Sequence, residues 1–511
     1  MKATVIGATI ERLDRAEHTW HWAAFAGLLA VAIIVRIAAF QGYANSDPRM
    51  YTEIANDLSR GIWDIRADRG APVFPIRPGI YVPTAVLIKM FGLSGLTLGA
   101  YPLIISMGSC LLTYFLARRF FSPLAGLLAF GAAAIVSIDV WMASALWPDA
   151  IAAFWANVGV TLALCLLSKS RPLPAVMLGL VSGVLFGVSW LCKETVVYLV
   201  PFVGVLALVV KRQTPLSTRV ACVTAIAVGS LAILSGETVF YAKQTGDLLF
   251  HFHTTERNYE SWPGGFFDAS SRSALVQRLL GRGLVEMLGD PSMSFVPMFA
   301  VLAIIWAVIF RQRKFLIPAV WLTSLLLMFN FMTSSFRSYK PLVLFGRYFY
   351  PILLPSLILF GGFLATLLLG ESEYQLRWER RFWAVAVIVV FCAISAAGVR
   401  RTVLFKPQDV QRSVASRLQP SDIIYTDYRT APDLIFFRTG RLLRSDTNTI
   451  RWDNVDPKEL PKGAYVLVNW PILDFEKQAY NVKIPAFASN PPSVWTKVQS
   501  FDNADLYLVP R

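Results

Sequence analysis

Long apolar runs broken by short polar stretches occupy the first four-fifths of the chain. A bilayer core about 30 Å thick takes roughly 17–25 helical residues to cross. Runs of that kind lie near 22–40, 95–117, 122–141, 149–168, 174–191, 195–210, 219–241, 294–310, 315–333, 347–370 and 382–399, which predicts about eleven transmembrane helices. The stretch 79–92, GIYVPTAVLIKMFG, is shorter and holds Pro83 and Lys89, so it predicts an interfacial or re-entrant helix. After Val399 the pattern changes. DIIYTD (422–427), YVLVNW (465–470) and DLYLVP (505–510) read as strands, and APDLIFFRTG (431–440) reads as a helix closed by Gly440. The predicted fold class is therefore an all-α polytopic membrane protein with a small C-terminal α/β domain. Residues 1–400 form the membrane domain and 401–511 the small domain.

Composition agrees with the pattern. The chain has 511 residues, 55% hydrophobic and 16% charged, against roughly 25% charged in soluble domains. The formal net charge of +15 does not imply a nucleic-acid partner, because the basic residues are dispersed. They fall in short clusters between apolar runs: Arg118-Arg119, Lys169/Arg171, Lys211-Arg212/Arg219, Arg311/Arg313/Lys314 and Arg377/Arg380/Arg381. With the N-terminus cytoplasmic and an odd number of spans, every such cluster falls inside, as the positive-inside rule requires. Asp47, Asp149, Lys193, Glu194, Arg347, the first loop 41–80, the loop 242–293 and the C-terminal domain then fall outside. The expected location is the inner (plasma) membrane. The first apolar run exceeds the ~7–15 residues of a signal-peptide core, so an uncleaved helix is expected. Five cysteines, Cys110, Cys165, Cys192, Cys222 and Cys392, lie in or beside apolar runs with no C-x-x-C spacing, which suggests neither a disulfide framework nor a zinc site.

Polar residues gather at the predicted outer boundary. In NSDPRMYTEIANDL (45–58), Asp47 and Tyr51 stand one helical turn apart. Ile54, Ala55 and Leu58 form a stripe expected to rest on the membrane surface. FPIRPGIYVP (74–83) delivers Arg77 from an extended, proline-bounded segment. LWPDA (146–150) places Asp149 at a helix N-terminus, where a carboxylate is favourable. WLCKETVVYLVP (190–201) brings Lys193 and Glu194, and GRYFYPILLP (346–355) brings Arg347 and Tyr348. Singly, these residues also suit headgroup snorkelling, helix capping or an aromatic belt. Together they suit a phosphate leaving group and a hydroxyl nucleophile: cations meet charge developing on phosphate, and a carboxylate takes the hydroxyl proton. A glycosidase would need a second acid to protonate its leaving group.

His251-Phe252-His253, with Glu256 nearby, could bind a metal from a strand, but two interfacial surface histidines fit the spacing better, since no third ligand is fixed. A divalent metal on Asp47, Asp149 and the histidines is compatible with the sequence, and no spacing demands one. Tyr259, Trp262, Phe266, Phe267 and Pro263-Gly264-Gly265 suggest a flap over a lipid or sugar.

SDPRMYTEIANDL (46–58), RPGIYVPTAVLIKMFG (77–92), WPDAIAAFWANVGVTLAL (147–164) and GRYFYPILLP (346–355) resemble the GT-C superfamily of integral-membrane glycosyltransferases. The likeness is to the protein O-mannosyltransferase, lipid A aminoarabinose transferase and lipopolysaccharide galacturonosyltransferase group, in layout over about residues 40–370. It implies a GT-C fold, a polyprenyl-phosphate sugar donor, hexosyl or pentosyl transfer on the non-cytoplasmic face, and a lipid, glycan or protein acceptor. By position it implies that Asp47 and Asp149 are the catalytic acids. Arg77 matches the basic residue that approaches the donor phosphate, and Lys193 stands roughly where relatives carry a basic residue. The boundary residues themselves add Arg347 and Tyr348 as candidates for the donor phosphate and Tyr51, Glu194, His251 and His253 for the acceptor cavity. Two positions depart from the family pattern: its Asp-Glu pair is Asp47-Pro48 here, and its basic-Pro-Pro motif is Arg77-Pro78-Gly79. The alternatives are a transporter or flippase of polyprenyl-linked glycans and a non-catalytic scaffold. Ionisable groups at one face, rather than at the midplane of broken helices, favour the enzyme.

Overall fold

A computed structural model describes residues 2–66, 72–166, 172–209, 215–260, 268, 271–335, 337–369, 377–404, 408–443, 446–452, 460–480 and 484–510. The helices are, in chain order, α1 (Lys2–Ala38), α2 (Asp47–Ser59), α3 (Pro78–Phe91), α4 (Gly95–Phe120), α5 (Pro123–Ile135), α6 (Ser137–Met142), α7 (Pro148–Leu166), α8 (Pro172–Trp190), α9 (Val200–Val209), α10 (Leu216–Thr245), α11 (Phe250–Glu260), α12 (Arg272–Gln277), α13 (Gly283–Gly289), α14 (Val296–Ile309), α15 (Leu316–Phe331), α16 (Leu353–Leu369), α17 (Arg377–Leu404), α18 (Asp409–Arg417), α19 (Thr430–Thr439), α20 (Trp470–Tyr480) and α21 (Ala486–Ser489). Among the described residues, seven helices are long and apolar enough to cross a membrane, and five shorter apolar helices accompany them. Among the described residues, each predicted apolar run is mainly helical. Those at 122–141, 174–191, 195–210 and 294–310 correspond to shorter helices rather than long spans. The run 122–141 is broken, because Val136 is extended (φ −63°, ψ 123°) and separates α5 from α6. The basic residues Lys169, Arg171, Lys211 and Arg212, and the flap residues Trp262, Pro263-Gly264-Gly265, Phe266 and Phe267, lie outside the described residues.

Helix α16 fills the middle of the bundle, buried against α5, α14 and α15, whereas α1, α10 and α17 leave Ile34, Ile37, Leu231, Val239, Phe382 and Trp383 exposed as an apolar outer surface. Apolar side chains gain nothing by leaving lipid, so close backbone approach drives this packing. Helices α8 and α10 meet this way: a Cβ at Gly183 would stand 2.1 Å from the Ile226 carbonyl oxygen. That contact sets Trp190, at the end of α8, against Glu237 of α10.

The short helices at one end of the bundle carry the polar residues. Helix α2 begins at Asp47-Pro48, with the proline in its first turn where no N–H is needed. Its stripe does not lie on the membrane. Ile54 and Ala55 are buried with Phe74, Ile80, Tyr81, Leu98 and Leu146, and Leu58 packs at the edge of the same cluster. Helix α3 occupies the place expected for lipid.

The C-terminal domain has a five-stranded sheet of β1 (Ile424–Thr426), β2 (Thr449–Arg451), β3 (Tyr465–Asn469), β4 (Thr496–Phe501) and β5 (Ala504–Leu508), ordered β2-β1-β3-β5-β4. Strands β1–β3 are parallel, while β5 runs antiparallel to β3 and β4. Helix α19 ends at Gly440, which is left-handed (φ 68°) as a C-cap glycine should be. The domain is seated on the segment leading to Asp47: Tyr43 stacks on Phe436 at 4.3 Å, and Arg412 donates to the Gln41 carbonyl at 2.5 Å.

Candidate active site

Three ion pairs converge beneath the C-terminal domain, from segments far apart in sequence. Asp47, at the start of α2, accepts from Arg347 at 2.9 Å; these side chains are 23% and 16% exposed, making theirs the most open pair. Arg347 belongs to the 3-10 turn Gly346–Ile352 that opens α16. Its guanidinium lies over the rings of Trp147 and Tyr348, at 4.8 and 5.2 Å. Arg77, the N-cap residue of α3, grips Glu194 with two hydrogen bonds (3.2 and 2.8 Å) and donates to the Tyr51 hydroxyl at 3.1 Å. Lys193 donates to Asp149, at the start of α7, and both side chains are almost fully enclosed. The Lys193 ammonium also sits 3.6 Å from the centre of the Tyr348 ring. Tyr348 thus lies between two cations.

Close backbone docking brings Arg77 to Glu194. The Gly79 N–H donates to the Leu191 carbonyl at 3.0 Å, and a Cβ at position 79 would stand 2.5 Å from Cys192 Sγ. Here lies the physical reason for the Arg77-Pro78-Gly79 departure: a proline at 79 has no N–H to donate.

His251 extends the network. Its Nδ1 is 2.7 Å from Glu237 and its Nε2 is 3.3 Å from Glu194, and its ring stacks on Trp190 at 4.9 Å. Burial pulls the imidazole pKa down, but the carboxylates of Glu194 and Glu237 beside it outweigh burial and push the value up to about 9. The histidine is therefore protonated at neutral pH. His253 is elsewhere. Both lie on α11, and positions two apart on a helix diverge, so His253 is exposed and pairs with Asp247 at 2.8 Å. Glu256 bonds Ser335 instead of joining the histidines. Among the described residues, no three His, Cys, Asp or Glu side chains converge to hold a metal.

The structure thus gathers Asp47, Tyr51, Arg77, Asp149, Lys193, Glu194, His251, Arg347 and Tyr348 at one end of the bundle and leaves His253 out. Sequence reasoning gave no site role to Trp147, Trp190 or Glu237. Of these, Glu237 carried a readable signal, as a lone carboxylate near the end of an apolar run. Sequence reasoning also expected the ionisable groups to collect at one face rather than among the helices. The structure corrects this, since Arg36 and Asp139 form an enclosed ion pair among the helices.

Comparison with known proteins adds the fold. No protein-family model matches the chain, and no curated protein does. Among solved structures, ArnT from Cupriavidus metallidurans in the apo state aligns with a TM-score of 0.56 at 15% identity, over 96% of this chain and 98% of that one. The same protein bound to undecaprenyl phosphate gives 0.53 at 14% identity, over 94% and 97%. The chain shares the fold of these structures. Another similar structure is the archaeal oligosaccharyltransferase AglB from Archaeoglobus fulgidus, in complex with an inhibitory peptide and a dolichol-phosphate. It aligns with a TM-score of 0.52 at 12% identity, over 84% of this chain and 65% of that one. At these identities the likeness is one of fold, and it covers the membrane and C-terminal parts of this chain together.

Proposed function

We propose that this protein is an inverting glycosyltransferase of the inner membrane. It moves a sugar from a polyprenyl-phosphate donor to a hydroxyl of an envelope glycolipid, polysaccharide or protein on the non-cytoplasmic face. The observation that carries this reading is the Asp47–Arg347 pair, which holds a carboxylate and a phosphate-suited cation 2.9 Å apart at the most open part of the site. A single displacement needs those two groups side by side. Asp47 takes the proton of the acceptor hydroxyl as its oxygen bonds the anomeric carbon. The bond from that carbon to the phosphate oxygen breaks, and the negative charge left on the polyprenyl phosphate is met by Arg347 and Arg77. Asp149, enclosed with Lys193, acts one layer below by holding that cation against Tyr348. The GT-C neighbours that carry undecaprenyl phosphate or dolichol-phosphate support a lipid-phosphate donor.

Asp47→Asn tests the assignment. The expected outcome is a loss of sugar transfer of roughly 10²–10⁴-fold, with an unchanged detergent melting curve and retained binding of undecaprenyl phosphate. Transfer at the normal rate removes Asp47 as the base. Mass spectrometry of envelope glycolipids and glycans from a deletion strain identifies the sugar and its acceptor.

Transport of a polyprenyl-linked glycan is the second reading. What favours it is the Arg36–Asp139 pair beside the break at Val136, since transporters place charge at broken helices. That pair is sealed, at 0% and 4% exposure, and so offers no path. Movement of labelled lipid-linked glycan across proteoliposomes without transfer would reverse the preference.

A further inference from the structure

Asp139 is bonded to three side chains inside the bundle. It accepts from Arg36, from the Tyr350 hydroxyl and from Ser106 Oγ, the last at 2.6 Å. Arg36 is itself saturated. Its Nε donates to Ser106 at 2.7 Å, and its Nη atoms donate to the carbonyls of Ala32, Ala133 and Ala134 at 3.1, 3.3 and 3.0 Å and to Cys110 Sγ at 3.0 Å. Desolvating such a pair costs several kcal/mol per ion, and an apolar replacement is often no less stable. Stability alone does not explain its presence.

Its connections point to another role. Arg36 lies in the last turn of α1, which leads directly into Asp47. Tyr350 lies in the same 3-10 turn as Arg347, and in that geometry residues three apart are stacked one above the other. The segments joined at the surface by Asp47–Arg347 are therefore joined a second time, underneath, through Asp139. The two ties differ in permanence. A donor phosphate that takes Arg347 breaks the upper one, while in the lower one Arg36 and Asp139 are enclosed side chains already paired with each other.

We propose that the Arg36–Asp139–Tyr350 cluster is a positioning device, with Tyr350 holding the Arg347 turn at a fixed distance from Asp47 when the surface ion pair opens. The proposal rests on the transferase reading for its purpose and on the hydrogen-bond network alone for its mechanics. Tyr350→Phe removes one hydroxyl and leaves Asp139 with Arg36 and Ser106. Ser182→Ala is the control, because it removes an equally buried hydroxyl, bonded to the Gly159 carbonyl at 2.7 Å between α7 and α8.

Two readouts are taken on the purified full chain. The first is the rate at which phenylglyoxal modifies Arg347, followed by peptide mass spectrometry without ligand. The second is the affinity for undecaprenyl phosphate. In Tyr350→Phe, Arg347 should be modified about fivefold faster and the lipid phosphate bound about tenfold more weakly, a change of 1.4 kcal/mol. Ser182→Ala should match the unmodified protein in both, at a similar melting temperature. Equal Arg347 modification in Tyr350→Phe and the unmodified protein overturns the positioning role. So does an equal increase in both variants. If the unmodified protein does not bind undecaprenyl phosphate, the donor reading falls, and the modification rates still decide the mechanics.

Discussion

His251 illustrates how a single side chain carries the charge state of the whole site. Held between Glu194 and Glu237 and pushed up to about 9 from its ordinary 6.5, it binds a proton more tightly in the folded protein than in the unfolded chain. Its contribution to stability is thus complete below pH 6.5 and is lost as pH rises through about 9, a swing on the order of 3 kcal/mol. Detergent melting temperatures should fall between these pH values in the unmodified protein and fall less in His251→Gln. Parallel curves would remove the histidine from that role. The sequence showed this residue only as half of an i, i+2 pair. Its partner Glu194 was visible at a helix boundary, but no local pattern links position 251 to 194 or 237. What links them is the packing of α8 against α10, which depends on backbone contact and has no counterpart in hydropathy.

Among elements, the junction of α3 with the 191–194 segment decides whether Arg77 reaches its partners. Gly79→Ala should cost about 1–3 kcal/mol through overpacking, because the new methyl meets Cys192 Sγ at 2.5 Å and the Leu191 carbonyl at 3.1 Å. Transfer should fall further than the stability loss accounts for, since Arg77 moves with the backbone. Cys192→Ala in the same chain should restore part of the melting temperature, because it removes the nearer obstacle. A full-strength melting curve in Gly79→Ala alone would deny the close approach. Apolar runs and boundary charges made the long helices and short α3 readable before the structure, but not α11, α12 and α13, which lie in what was expected to be the loop 242–293. What an apolar stripe faces was not readable: the Ile54–Leu58 side of α2 suits lipid and protein equally, and only the position of α3 decides between them. The break at Val136 was hidden for a related reason, as nothing in an apolar alanine-rich run marks an extended residue.

At the scale of the whole molecule, the division into a helical membrane part and a small α/β part was plain from where hydropathy falls. Three of the five strands were visible as short apolar stretches, whereas β2 (TIR) and β4 (TKVQSF) are too polar to stand out. The seating of the domain on residues 41–45, just before the candidate base, belongs to tertiary structure alone. One feature of the assembled site reaches beyond geometry. Its four cationic side chains, Arg77, Lys193, Arg347 and His251, stand against four carboxylates, Asp47, Asp149, Glu194 and Glu237. A site balanced in this way casts almost no field past the Debye length of about 8 Å. A surplus of positive charge at a membrane surface would draw in whichever anionic headgroup is most abundant. A balanced pocket ignores the crowd and admits a phosphate only where the ligand fits closely enough to exchange partners. Transfer rates at low donor should accordingly change less than about twofold between roughly 50 and 300 mM salt, and added anionic phospholipid should inhibit weakly. A steep salt dependence would mean that charge, rather than fit, selects the donor.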